Sequence, residues 1–296
     1  MIIVKLWGGL GNQMFQYAAA RRLALANDAP LKLDLGWFDR IPRGDTPREY
    51  ELHVFNCVQD VASAREVKAL RGVDTRRWPK AVKRLLEAAG LLVKRSCVRE
   101  KHFHFDPEVL GLRGDLYLDG YWQSAKYFAD AADAIRRDFT FRDAPDPVNR
   151  EFAERIRGVE AVSLHVRRGD YVAGGATSRH HVSNSLEYYA KAIAALTARL
   201  REPHFFVFSD EPAWVKENLR LDVPLTCVDH NGAGKGYEDL RLMSLCRHHI
   251  IANSSFSWWG AWLSDHPEKI VIAPRQWFAR DDKNTADLIP EGWLQL

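Results

Sequence analysis

The stretch Ala161-Val162-Ser163-Leu164-His165-Val166-Arg167-Arg168-Gly169-Asp170-Tyr171 begins as a short apolar run and breaks into His, two Arg, Gly and Asp. A parallel strand inside an α/β sheet is covered on both faces and so reads as continuously apolar. Where such a strand ends, an open α/β sheet gathers the polar side chains that meet a ligand. Two arginines at that place suit a phosphate, because a guanidinium offers a planar fork of donors and keeps its charge at neutral pH. Gly169 permits a sharp turn or a close approach to a ligand. Taken alone, the stretch also reads as a surface β-turn with solvated charges. Its neighbours in the chain favour the strand.

Downstream, strands are predicted at 205–208, 225–228, 249–252 and 270–273, alternating with helices at 186–201, 213–219, 237–246 and 257–264, after a first helix at 149–157. Such alternation predicts a parallel, doubly wound sheet. Polar residues again follow the strands: Ser209-Asp210-Glu211 after Phe208, and Asn253-Ser254-Ser255-Phe256-Ser257 after Ala252. In one sheet these clusters and His165–Asp170 share one crevice. The serines at the start of the 257–264 helix suit a phosphate, and a helix-capping role for Ser254 or Ser257 is compatible with that.

The N-terminal half opens as strand 2–6, the glycine-rich turn Trp7-Gly8-Gly9-Leu10-Gly11-Asn12-Gln13, helix 14–25 and strand 31–34. The glycines at 8, 9 and 11 match neither the dinucleotide fingerprint nor a P-loop, and the turn suits either an anion or tight packing. A strand is predicted at 116–122 and a helix at 127–139. The proline-punctuated stretch 142–147 is the expected linker, dividing the chain into 1–147 and 148–296.

Composition sets outer bounds. The 296 residues are 46% hydrophobic and 27% charged, as in a soluble globular protein long enough for two cores. No apolar run reaches the roughly 20 residues of a membrane span, and no leader is apparent, so a cytoplasmic protein is expected. Cys57, Cys97, Cys227 and Cys246 lack metal or redox spacing. The net charge is only +3, yet 65–101 holds 12 Lys/Arg against 4 Asp/Glu. Its predicted helix 78–92 reads either as a solvated face or as a peripheral contact with an anionic membrane. No base-reading module is present, so nucleic acid is not an expected partner.

Several segments together resemble the α-1,2-fucosyltransferases of glycosyltransferase family 11. They are Gly8-Gly9-Leu10-Gly11-Asn12-Gln13-Met14-Phe15-Gln16-Tyr17-Ala18, His165–Tyr171, Phe208-Ser209-Asp210-Glu211, 250–262 and Ala273-Pro274-Arg275-Gln276-Trp277. In order and spacing they cover nearly the whole chain. The resemblance implies an α/β, GT-B-like fold of two Rossmann-like lobes facing a central cleft. It implies inverting transfer of L-fucose from GDP-β-L-fucose to the 2-hydroxyl of a galactose-like acceptor, on a surface glycan or lipid-linked oligosaccharide. Another linkage, such as α-1,3, or a non-catalytic nucleotide-sugar-binding protein are the alternatives.

By the same resemblance Arg167 meets the donor diphosphate, with His165, Arg168 and Asp210 beside it. Asp239 holds the guanine edge. Ser255, with Asn253, Ser254 and Ser257, meets the β-phosphate. Gly9, Gly11 and Asn12 of the other lobe close on the phosphate and fucose. Leaving-group charge would then be stabilised by positioned donors. No Asp-x-Asp motif is present to hold a cation, so no metal or other cofactor is expected. Deprotonating the acceptor calls for a carboxylate or His; Asp170 and His181 are the candidates, each equally readable as structural. Glu187 stands where the family carries Asp. At least two of Trp258, Trp259 and Trp262 are expected to pack helix against sheet.

Overall fold

The computed structural model describes residues 1–42, 46–72, 79, 81–82, 85, 96–168, 184–219, 222–232, 234–279 and 283–296. They form two compact units. The first comprises Met1–Gly8, Asn12–Ile41 and Arg48–Thr140; the second comprises Gly9–Gly11, Pro42–Pro47 and Phe141–Leu296.

In the first unit β1 (Ile2–Lys5), α1 (Leu10–Ala26) and β2 (Leu31–Asp34) form a βαβ start. Strands β3 (Cys97–Arg99) and β4 (Leu116–Asp119) complete a parallel sheet in the order β2-β1-β4-β3. Chain order reverses between β1 and β4, so the loops after these two strands flank the sheet's switch point. Helix α1 buries Met14, Phe15, Tyr17, Ala18 and Leu23, and its alanine run favours the helical state. Helix α2 (Ala64–Arg71) starts with a reciprocal cap between Ser63 and Glu66. The helix predicted over 127–139 forms only at α3 (Ala132–Asp138), after two 3₁₀ turns.

The main segment of the second unit begins at Phe141, so 142–147 belongs to it. Asp146 caps α4 (Pro147–Arg157), accepting from the Asn149 N–H at 2.9 Å. Strands β5 (Glu160–Val166), β6 (Pro203–Ser209), β7 (Leu225–Val228), β8 (His248–Ile250), β9 (Val271–Ala273) and β10 (Leu294–Gln295) follow. They form one wholly parallel sheet ordered β10-β9-β8-β5-β6-β7. Numbered from β5 this is the 3-2-1-4-5-6 order of a Rossmann sheet, with its switch point between β5 and β8.

Side-chain alternation explains why helices cover both faces. Val162, Leu164 and Val166 of β5, with Phe205 and Val207 of β6, pack against Tyr188, Tyr189, Ala192 and Ile193 of α5 (Leu186–Thr197). The alternate residues Ala161, Phe206 and Phe208 meet Ile156 of α4 and Leu242 and Met243 of α7 (Gly236–Leu245). Between them in the chain lies α6 (Pro212–Asn218), and α8 (Ser255–Leu263) follows β8. Gly260 brings α8 close to α7: a Cβ there would lie 2.9 Å from Met243 Cβ. Leu164→Ala, in a strand paired on both sides, is expected to cost about 2–5 kcal/mol. Urea unfolding checks this, and a loss below about 1 kcal/mol would show that the site is not close-packed.

Candidate functional site

Strand β5 ends at His165 and Val166, Arg167 and Arg168 follow it, and the carboxylates that follow β6 meet both arginines. Asp210 Oδ2 lies 3.2 Å from Arg167 Nε, while its Oδ1 accepts the Arg168 N–H at 3.0 Å. Glu211 Oε2 pairs with Arg168 Nε at 3.3 Å, and the Arg168 guanidinium lies 3.7 Å from the ring centre of Trp214 on α6. Arg168 is therefore clamped between a carboxylate and an indole. Asp210, expected as a donor ligand, is placed to orient the arginines.

His165 is buried, and burial, with the Arg167 charge beside it, pushes its pKa down to about 3. At neutral pH it is an uncharged imidazole. Its ring centre is 5.8 Å from that of Phe256, on the first turn of α8, across the switch between β5 and β8.

The serines divide their work at the α8 N-terminus. Ser254 is the N-cap, accepting from the Phe256 N–H at 3.3 Å, and Ser257 Oγ donates to the Ser254 carbonyl at 3.4 Å. Asn253 is fully buried; its amide donates to the Trp277 carbonyl at 3.0 Å and accepts from Asn184 at 3.3 Å. Asn253, Ser254 and Ser257, all expected on phosphate, thus have local tasks. Ser255 lies on the first turn, half-buried. A Cβ on Gly11 would fall 2.5 Å from the Ser255 carbonyl carbon and 2.6 Å from the Phe256 nitrogen. The Gly11 carbonyl in turn accepts from Trp259 Nε1 at 3.1 Å. Gly9 lies in the same three-residue segment of the second unit. Trp258 and Trp259 are both fully buried, as expected for packing residues.

Asp239, on the first turn of α7, stands in a separate polar cluster. Asn231 Nδ2 donates to its Oδ1 at 2.9 Å. Burial nevertheless pushes its pKa up to about 7, with the neighbouring Glu238 charge adding to the rise. No sequence motif marks Asn231 or its partner Asn149, which starts the predicted helix 149–157.

In the first unit, Trp7 and Gly8 at the start of the glycine-rich turn are held by two buried glutamines. Gln16 accepts the Trp7 N–H at 3.1 Å, and Gln13 donates to the carbonyls of Gly8 and Glu49 at 2.9 and 2.8 Å. Gly8 has φ +74°, and a Cβ there would meet Asn12 Nδ2 at 2.8 Å, so both conformation and space call for glycine. Gln123 donates to Asn12 Oδ1 at 2.8 Å from the loop after β4. In that loop Trp122 has φ +58°, a left-handed conformation uncommon for a bulky residue, and Glu100 accepts the N–H groups of Tyr121 and Trp122 at 2.9 Å each. No sequence signal marks this strained turn.

Asp170 and His181 lie outside the described residues, as do Lys80, Lys83 and Arg84 of the basic segment. Among the described residues, no His, Cys, Asp and Glu side chains gather in a group of three that could hold a metal ion, and no helix is long and apolar enough to cross a membrane.

Each unit is built on a parallel α/β sheet, as in GT-B-like folds. The fold is similar to the structure of an Arabidopsis thaliana FUT1 mutant in complex with GDP, with a TM-score of 0.51 over 91% of this chain and 69% of that one, at 14% identity. Two Escherichia coli proteins match over nearly their whole lengths. An alpha-1,2-colitosyltransferase is 32% identical, covering 100% of this chain and 99% of its own; the O-antigen biosynthesis glycosyltransferase WbnK is 33% identical, covering 98% and 99%. The family model for glycosyl transferase family 11 matches residues 101–296. The chain belongs to that family.

Gly11→Ala tests the closeness of the turn. Alanine is the better helix former by about 1 kcal/mol, yet its methyl would meet backbone atoms that cannot swing aside. A net loss of about 1–3 kcal/mol in urea unfolding is expected; a gain in stability would contradict the packing at Ser255.

Proposed function

We propose that this protein transfers L-fucose, with inversion, from GDP-β-L-fucose to the 2-hydroxyl of a galactose-like acceptor in a surface glycan. The arginine pair braced at the end of β5 carries this reading, together with membership of family 11. Breaking the fucosyl–phosphate bond builds negative charge on the leaving diphosphate and positive charge on the sugar. A preoriented Arg167 would meet that negative charge without reorganising as it develops. Asp210 supplies the preorientation, since it already engages Arg167 Nε and the Arg168 N–H. Arg167 thereby does the work that many sugar transferases give to a divalent cation, and turnover needs no metal.

The donor nucleotide is assigned to the second unit, which has the Rossmann strand order, and the acceptor to the first. Asp239 accepts from the guanine N–H donors, and Ser255 meets the β-phosphate. Asp170 or His181 takes the acceptor proton. The alpha-1,2-colitosyltransferase among the relatives supports the 1,2 linkage and makes the donor sugar a question for experiment. A glycan carried on lipid, approached through the basic 65–101 segment at a membrane face, is the proposed setting.

The test is GDP release on mixing the protein with GDP-fucose or GDP-colitose, a panel of galactosides and EDTA. Release that needs a galactoside, survives EDTA and falls by about 10²-fold or more in Arg167→Ala is expected. NMR of the product is expected to show an α-1,2 linkage. Loss of activity in EDTA, or an unaffected Arg167→Ala, would overturn the leaving-group chemistry.

A further inference from the structure

The cluster around Asp239 contains more than a carboxylate. Asn149 on α4 is fully buried. Its amide forms a reciprocal pair with Asn231: Asn149 Nδ2 donates to Asn231 Oδ1 at 2.9 Å, and Asn231 Nδ2 donates to Asn149 Oδ1 at 3.0 Å. The same Asn231 Nδ2 reaches Asp239 Oδ1 at 2.9 Å. Asn149 is anchored from behind, because its Nδ2 also donates to Asp146 Oδ1 at 3.1 Å and its Oδ1 meets His230 Nε2 at 2.9 Å. His230 is held against the Phe152 ring, 4.4 Å between centres.

This arrangement allows only one orientation of each amide. Turning Asn149 over would set its NH₂ against the Asn231 NH₂ and its oxygen against Asp146. Turning Asn231 over would aim its oxygen at a carboxylate. The amide pair therefore donates outward at both ends, from Asn149 to the Asp146 cap of α4 and from Asn231 to Oδ1 of Asp239. Oδ2 of Asp239 has no hydrogen bond among the described residues.

We propose that Asn149 and Asn231 are positioning residues for base selection, a buried amide pair that fixes the Asp239 carboxylate to accept adjacent N–H donors of a purine. The inference rests on the reading of Asp239 as the guanine ligand. A carboxylate accepts two parallel N–H donors only when its plane is fixed and it is ionised, and an amide donor on one oxygen serves both needs. Adenine, which presents no such pair of adjacent donors, is left with the desolvation cost of the carboxylate and no return.

The other charged groups near Asp239 are largely paired elsewhere. Glu238 pairs with Arg241, Asp229 with Lys216, and Asp146 with Lys235. Burial keeps His230 below its ordinary pKa and raises the Cys227 thiol, so both are neutral at pH 7. Glu238 raises the Asp239 pKa while Asn231 lowers it. Removing Asn231 thus removes the contact that favours the anion, and base binding should then demand a higher pH.

The experiment is calorimetry of GDP, inosine diphosphate and ADP binding to the full chain between about pH 6 and 8.5, a range chosen to bracket the Asp239 titration. In the wild type, GDP binding is expected to tighten as pH rises through about 7 and then level off. Asn231→Leu is expected to weaken GDP by about tenfold at pH 7, to move the rise to higher pH, and to narrow the preference for GDP over inosine diphosphate. Asn149→Ser, which keeps Asn231 and Asp239, is expected to move the same quantities the same way by less, and serves if Asn231→Leu does not fold. Wild-type pH profiles and base preference in a folded variant would overturn the positioning role, while loss of the preference in Asp239→Asn would still uphold the guanine reading. An Asp239→Asn variant with undiminished preference for GDP would instead sink that reading itself.

Discussion

A parallel strand covered on both faces can show polar side chains to a ligand only where it ends, and two arginines follow the end of β5. Left alone, these cations would repel each other, and long flexible side chains would sample many rotamers. The partners come from the adjacent strand: because β5 and β6 run parallel in register, with Val166 beside Ser209, the next residues of β6 are Asp210 and Glu211. One carboxylate meets each guanidinium, and Asp210 also takes the Arg168 N–H. The remaining order of the sheet follows the same logic. The chain crosses from β7 back to β8 on the far side of β5, which leaves Phe256 at the start of α8 beside His165.

Amide side chains do comparable work elsewhere. In the first unit Gln13 and Gln16 are completely buried, yet their polar atoms are spent on the backbone of the glycine turn and its neighbours. In the second unit Asn149 ties a helix cap to Asp239, and Asn253 ties the start of α8 to the Trp277 loop. Each of these is a neutral group with both donor and acceptor satisfied, so it can be buried at little cost while aiming a neighbour. Charged residues in those positions would demand counter-ions.

Much of this was legible in the sequence, for identifiable reasons. Strands β5 and β6 announce themselves as apolar runs followed at once by polar clusters, and the run Ile250–Ala252 before Asn253 marks the end of β8 in the same way. The serine-rich start of α8 was legible too, but its division of labour was not. Capping by Ser254 and the engagement of Asn253 depend on Trp277 and Asn184, which are distant in sequence. Strand β3 has three residues inside a strongly basic stretch, so periodicity had nothing to detect. The left-handed Trp122 and its Glu100 clamp arise from tertiary contacts that no local rule encodes. The clamp of Glu211 and Trp214 on Arg168 belongs to the same class: the residues were visible, but their convergence was not.

Arg167, held by Asp210, is proposed to recognise the terminal phosphate of a nucleoside diphosphate. Calorimetric titration of GDP and GMP into the wild type and Arg167→Ala tests it most directly, because the two nucleotides differ only in that phosphate. The wild type is expected to favour GDP by on the order of a hundredfold, and the variant to lose most of that preference while binding GMP nearly unchanged. An undiminished preference for GDP in a folded Arg167→Ala protein would contradict the claim.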